Sequence, residues 1–371
     1  MPAEALTLRQ MNRATLARQM LLARERIAPL KAIERLVGMQ AQWPRPPFVG
    51  LWSRVHGFAR ADLAKILAER KVVRGTSLRG TLHLVTAKDF VALRPTLQPV
   101  LEAGMRSILR QRGAAIDADR LIAQAQALLA EEPRTFEELR ERLLHDDPLG
   151  DERAMGYAVR MLLPLVQVPT DDAAWSFPTQ ARFALAEKWL GRPVARHGEA
   201  RPDQLVLRYL AGYGPSSVAD AQAWSGVPGL RETFEWLRPR LVSFRDEQGH
   251  ELFDLPKAPR PAGNVPAPVR LVPEYDNLIA ARADERFVAR QDRPRVFLSA
   301  LRIAATVLVD GFVAGTWKIE RSRTAAKMTI EPFAPFAARP RKEVAAEADA
   351  LLRFAEPDAR TFEVRFGRSA A

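Results

Sequence analysis

The stretch Val72-Val-Arg-Gly-Thr-Ser-Leu78-Arg-Gly-Thr-Leu-His-Leu-Val85 decides the fold. Its apolar residues alternate on either side of Arg79-Gly80, so Val72 to Leu78 and Thr81 to Val85 read as two strands of a hairpin. Upstream the period is helical. Leu8, Met11, Leu16 and Met20 recur at helical spacing within Leu6 to Ala23, and further helices are predicted over Pro29 to Gln40 and Ala61 to Lys71. Three helices trailed by a hairpin make a winged helix. A long helix, Ala87 to Arg112, is expected next, interrupted near Pro95 because proline removes a backbone donor.

The same order recurs twice. A second unit begins near Asp117. Thr135-Phe-Glu-Glu138 fits a capping box ahead of Leu139 to Leu144, Arg153 to Val166 stands where a recognition helix would, and Val166 to Pro169 and Ala173 to Phe177 are its expected wing strands. A third unit starts near Arg201. Gln204 to Ala211 is helical, Ser217-Val-Ala-Asp220 caps the next helix, and Leu230 to Leu237 follows the turn at Gly226. Arg240 to Arg245 and Glu251 to Leu255 then flank Asp246-Glu-Gln-Gly249 as a wing. Lys257 to Pro268 is proline-rich and reads as a linker. Beyond it, Thr306 to Val309 and Phe312 to Trp317 flank Asp310-Gly311, followed by strands at Met328 to Pro332 and Phe362 to Phe366 around a helix at Glu343 to Ala355. The expected fold is therefore α+β and mostly helical. Its domains are three tandem winged helices, at 1–115, 116–199 and 200–256, and a β-rich segment at 257–371.

Composition narrows the function. Hydrophobic residues make up 47% and charged residues 27% of the 371, a globular profile with no apolar run near the ~20 residues of a membrane span. No signal peptide opens the chain, so the expected compartment is the cytoplasm, in association with the nucleoid. The absence of cysteine excludes disulfides, thiolate metal sites and cysteine nucleophiles. His56, His83, His145, His197 and His250 show no metal-ligand spacing, and neither metal nor other cofactor is expected. The net charge of +12 favours a polyanionic partner through counterion release. The expected partner is double-stranded DNA, bound by a monomer.

The local feature that stands out is Gly38-Met-Gln40-Ala-Gln42-Trp-Pro44-Arg-Pro-Pro47. Positions two apart on one helix diverge by ~200°. Pro44, however, biases Trp43 away from helical backbone, so Gln42 falls at the last turn or beyond, where both amides can converge. As a bare pattern this fits a helix end with solvated glutamines better than a reactive pair. Arg79 at the hairpin tip reads as a phosphate contact. Alternation sets Thr81 and His83 opposite Leu82 and Leu84, as DNA contacts or as ordinary strand residues. Arg45 is a further candidate for the DNA backbone, and Arg153, Arg160 and Arg182 either track phosphates or form a solvated helix face. Arg282, with Asp276, supports a site or forms a structural ion pair. Phe312 beside Asp310-Gly311 is either a minor-groove wedge or part of a buried sheet.

Several of these stretches carry a resemblance. Leu8-Arg-Gln-Met-Asn-Arg13, Gln40-Ala-Gln42 and Leu78-Arg-Gly-Thr-Leu-His-Leu84 lie in the first third of the chain. Tyr213-Gly-Pro-Ser-Ser-Val-Ala-Asp220, Leu271-Val-Pro-Glu-Tyr-Asp-Asn277 and Val307 to Gly311 with Thr316-Trp317 extend the likeness from residue 6 to about 335. Together they resemble the AlkZ-like winged-helix DNA glycosylases, which combine three winged helices with a Gln-x-Gln catalytic motif. A related branch carries Gln-x-Asp, which this chain does not match. The resemblance implies that Gln40 and Gln42 are catalytic and that the substrate is an alkylated purine of N7-alkylguanine type, bulky or interstrand cross-linked adducts included, removed in repair or self-resistance. Such a base already carries positive charge, so it needs no protonation to leave. What remains is to position a water and stabilise a cationic sugar. No lysine lies between Lys31 and Lys65, so a water-using, monofunctional glycosylase is expected. The alternative is a non-catalytic DNA-binding protein, a regulator or lesion binder.

Overall fold

The computed structural model describes residues 5–114, 116–146, 150–195, 197–280, 284–299 and 301–367. The first part runs α1 (Leu8–Arg18), α2 (Pro29–Arg35), β1 (Met39–Gln40), α3 (Arg45–Trp52), α4 (Arg60–Ala68), β2 (Val72–Thr76), β3 (Leu82–Thr86) and α5 (Ala87–Arg112). Thr7 caps α1 through a reciprocal capping box with Gln10, and Thr86 caps α5 through the Asp89 amide. The deciding stretch is a hairpin, with Val73 facing Val85 and Arg74 facing Leu84. Three expectations change here. The second helix stops at Arg35, and the chain turns into β1 through Val37 and Gly38, at φ 60° and 127°. A Cβ on Gly38 would lie 2.5 Å from Val85 Cγ1, so this turn requires glycine. The run Pro44-Arg-Pro-Pro47 opens α3 instead of breaking the chain, because a first helical turn does not use its N–H groups. Helix α5 runs through Pro95 and Pro99 without interruption.

The second part holds α6 (Ala118–Glu131), α7 (Phe136–Asp146), α8 (Glu152–Leu162), β4 (Leu165–Gln167), β5 (Phe183–Leu185) and the short α9 (Ala186–Leu190). Here β5 replaces the strand expected at Ala173 to Phe177, and Phe177 instead packs into the core of the first part. The sheet order β1-β3-β2-β4-β5 carries one five-stranded sheet across both parts, with Gly75 opposite Val166. The third part follows the expected order: α10 (Pro202–Tyr213), α11 (Val218–Ser225), α12 (Leu230–Leu237), β6 (Val242–Arg245) and β7 (Glu251–Asp254).

The last part comprises β8 (Arg270–Val272), α13 (Asn277–Ala280), α14 (Arg293–Val296), β9 (Thr306–Val309), β10 (Phe312–Arg321), β11 (Ala325–Pro332), α15 (Ala338–Ala355) and β12 (Thr361–Phe366). Its sheet runs β12-β11-β10-β9-β8, with α15 making the crossover to a parallel β12 and burying Val344, Ala348, Leu351 and Leu352 against it.

Helix α1 ties these parts together. Leu16 packs with Leu278, Leu308 and Val313 of the last part. Arg18 grips Asp254 at the end of β7 with both arms, at 2.7 and 2.8 Å, and both side chains are buried. Arg13 and Arg18 also donate to the carbonyls of Val265 and Pro259, fixing the proline-rich connection to the helix. The motif Leu8 to Arg13 is thus structural glue. Asn12 donates to the carbonyls of Arg286 and Gly311, at 3.0 and 2.8 Å. No helix among the described residues is long and apolar enough to cross a membrane.

Candidate active site

The left-handed turn at Val37-Gly38 places Gln40 on β1, paired in register with His83 on β3. Gln40 is buried, whereas Gln42, two residues on, is exposed past the end of the strand. The two glutamines therefore sit on a strand and the turn after it, not at a helix end.

Arg79 anchors the first of them. It occupies a left-handed position, φ 56°, in the tight turn Leu78–Gly80 between β2 and β3. Its Nη2 donates to Gln40 Oε1 at 2.8 Å and to Asn277 Oδ1 at 3.0 Å, and its Nη1 donates to the Trp224 carbonyl of α11. Asn277 in turn donates to the Gly38 carbonyl at 3.2 Å. One guanidinium thus joins three parts of the chain. Burial lowers its pKa to about 10, which leaves it charged at neutral pH. Arg79 is not a free phosphate contact at a hairpin tip.

A second arginine fixes the backbone. Arg74 on β2 is buried, donates to the carbonyls of Ala41 at 2.9 Å and Gln42 at 3.1 Å, and bonds the Gln167 amide oxygen of β4. Burial lowers its pKa to about 10 as well. The loop after β1 is held by its main chain while the Gln42 side chain stays exposed. Next to it Trp43 is 60% exposed, an unusual position for a large aromatic residue.

The turn after β8 forms the far wall. Gln40 shares a narrow cleft of about 10 Å³ with Gln19, Arg54, Glu274, Asp276 and Asn277. Arg54 holds Asp276 by a buried bidentate pair, at 2.8 and 2.7 Å. Arg45 at the start of α3 reaches Glu274 at 3.1 Å. Non-glycine residues in left-handed backbone gather here, Val37, Arg79 and Tyr275, as they do where a site is held rigidly. A larger groove, about 400 Å³, lies between α7 and α8; Arg140 on its wall is paired with Glu137 and Glu152, and neither glutamine of the pair lines it.

A family model describing DNA glycosylase AlkZ-like proteins matches residues 33–354. The chain belongs to the AlkZ-like DNA glycosylase family. No curated protein matches the sequence. Among solved structures, the Streptomyces sahachiroi DNA glycosylase AlkZ superposes with a TM-score of 0.80 at 22% identity, covering 98% of this chain and 100% of that one, which establishes a shared fold.

In this AlkZ-like chain the remaining candidates scatter. His83 is fully buried, so it has no surface to offer DNA. Its Nδ1 lies 3.1 Å from the Thr81 carbonyl and 3.4 Å from Thr81 Oγ1. Burial first, then the charge of Arg79, push its pKa down to about 3, so it is neutral. Thr81 is half-buried. Arg153 is exposed on α8, whereas Arg160 lies over the Phe136 and Tyr157 rings, its pKa lowered by burial. Arg182 pairs with Glu138. Phe312 is half-buried beneath Arg9, and the Asp310-Gly311 turn is pressed onto α1, where a Cβ on Gly311 would meet Asn12 and Arg13 at 2.6 Å. That hairpin tip is seated, not free to wedge. Arg282 lies outside the described residues. Sequence reading missed Arg74, Asn277, Glu274 and Trp43. All four lie inside quoted stretches, and for Trp43 the signal was an aromatic residue directly after Gln42.

Proposed function

We propose that this chain hydrolyses the N-glycosidic bond of alkylated purines in double-stranded DNA, with N7-alkylguanine as the basic substrate and bulky or cross-linked adducts as variants of it. The observation that carries this reading is the division between a locked Gln40 and an exposed Gln42 on one short segment. Arg79 can only donate, so the Gln40 atom that meets it is the oxygen, and the amide nitrogen with its two donors is left for the substrate side. Gln42 keeps its carbonyl for a water. An amide is a feeble base, but a purine alkylated at N7 is already cationic and leaves without protonation. Holding water opposite a weakened bond is work an amide pair is suited to.

The shallow cleft fits a bulky lesion. Pockets that enclose a ligand run from about 300 to 1,000 Å³. A cleft of about 10 Å³ leaves a large adduct outside, in the groove of the duplex. Trp43 stacks on bases beside the lesion, and Arg153 and other exposed arginines hold phosphates. We read the three helix–hairpin parts, 1–115, 116–199 and 200–256, as winged helices that with 257–371 surround the duplex. Water is the nucleophile, which makes the enzyme monofunctional.

Duplex DNA with a single N7-methylguanine tests the reading. Incubation followed by alkaline strand scission is expected to cut at the lesion, and borohydride is expected to trap no protein–DNA adduct. Tight binding with no base released would instead make the protein a lesion binder.

A further inference from the structure

The cleft contains a carboxylate to which the mechanism above gives no task. Glu274 sits in the turn between β8 and α13, directly before Tyr275, whose φ of 60° is uncommon for a residue with a side chain. One carboxylate oxygen, Oε1, accepts from Arg45 at 3.1 Å. The other, Oε2, is shielded from solvent and has no hydrogen-bond partner among the described residues. Buried acceptors are nearly always satisfied, and an ionised carboxylate oxygen most of all.

The neighbouring charges are already committed. Both oxygens of Asp276 accept from Arg54. Arg79 is divided among Gln40, Asn277 and Trp224. Glu274 is therefore the charged acceptor in this cleft with capacity to spare, and it lines the same walls as Gln40. Neither glutamine can supply what it has, a full negative charge and a site for a proton.

We propose that Glu274 is a catalytic residue, the anionic group that faces the deoxyribose during hydrolysis. The inference rests on the hydrolytic reading above. As the C1′–N9 bond breaks, its electron pair goes to the cationic purine, which leaves neutral, and the positive charge passes to the sugar. The water oxygen bonds to C1′, and its proton passes to Glu274 Oε2 and then to solvent. Arg45 holds the opposite oxygen and orients the group. Charge opposing charge in a partly desolvated cleft is worth far more than in bulk water.

Glu274→Gln tests this, because the amide oxygen still accepts from Arg45 while the charge is gone. Two duplexes with abasic-site analogues separate charge from shape: one carries a cationic pyrrolidine, the other a neutral tetrahydrofuran. The wild-type chain is expected to bind the pyrrolidine duplex about tenfold or more tighter, and Glu274→Gln is expected to bind both alike. Glu274→Asp keeps the charge and is expected to retain the preference. Single-turnover excision of N7-methylguanine is expected to slow by about 10²-fold in Glu274→Gln, as for loss of an electrostatic stabiliser. An undiminished cation preference in Glu274→Gln, unchanged excision, or an aspartate variant as indifferent to charge as the glutamine variant overturns the proposal. Excision by wild type that survives in Glu274→Gln leaves the hydrolytic reading standing without it. A wild type that releases no base overturns the hydrolytic reading and the catalytic role of Glu274 with it, whatever its preference for the cation.

Discussion

Arg79 Nη2 lies 2.8 Å from Gln40 Oε1, and because a guanidinium accepts nothing, this contact sets the direction of the Gln40 amide. On the proposed function, the donors of that amide are then what the substrate meets. Gln40→Glu is the matching probe. It keeps the acceptor for Arg79 and removes both donors. We predict a folded protein, at least as stable as wild type, whose excision rate falls by about 10- to 100-fold, the range for losing one preorganised donor. Thermal melting and single-turnover kinetics on the same preparation check both halves.

The glutamines should differ in what they do for stability. Gln42 is exposed, and replacing an exposed side chain changes stability by about 0.5 kcal/mol or less. Gln40 is buried and bonds a charged donor, so Gln40→Ala is expected to cost about 1.5–3 kcal/mol. Urea unfolding of the two alanine variants measures the difference. Equal stability would mean that the Arg79 contact contributes nothing.

The third part was legible in the sequence because its signals are local. The Ser217/Asp220 capping box and the Asp246 to Gly249 turn mark their own boundaries. The glutamine segment was not legible as a strand. A β-branched residue, Val37, adopts the left-handed turn that ends α2, and only the packed β3 behind Gly38 makes that necessary. Arg79 was read as a phosphate contact because its partners are remote, 39, 145 and 198 residues away. The Gln-x-Gln pair and the motif from Leu271 to Asn277 were both visible as stretches. That Asn277 and Glu274 stand beside Gln40 follows from the tertiary fold alone.

His83 gives a prediction in pH. Its pKa falls from 6.5 in the unfolded chain to about 3 in the folded one, so folding favours the neutral ring. The sign follows: this contribution is complete above pH 6.5 and is lost as pH falls from there toward 3. A His83→Phe variant, if it folds, is expected to lose less stability than wild type over that interval. Excision should show no step from His83 between pH 5 and 8, since the ring stays neutral throughout. A His83 imidazole signal titrating near pH 6.5 in the folded protein would contradict the burial argument.

Asp276 lies against the site, but its partner makes it structural. Asp276→Ala leaves the Arg54 charge buried without its counter-ion, and breaking a buried pair from one side costs about 3–5 kcal/mol. We predict a melting temperature lowered by several degrees. A double variant, Arg54→Leu with Asp276→Leu, should recover part of the loss, which calorimetry can follow.

Gln42, exposed beside the locked Gln40, is proposed to hold the water that releases an alkylated purine. Single-turnover excision of N7-methylguanine from a duplex by wild type and Gln42→Ala, with folding and DNA affinity measured alongside, tests it most directly. Base release by wild type is expected, with a rate lower by about 10²- to 10⁴-fold in the variant at nearly unchanged affinity and stability. A Gln42→Ala protein that is folded, binds DNA and excises at the wild-type rate would contradict it.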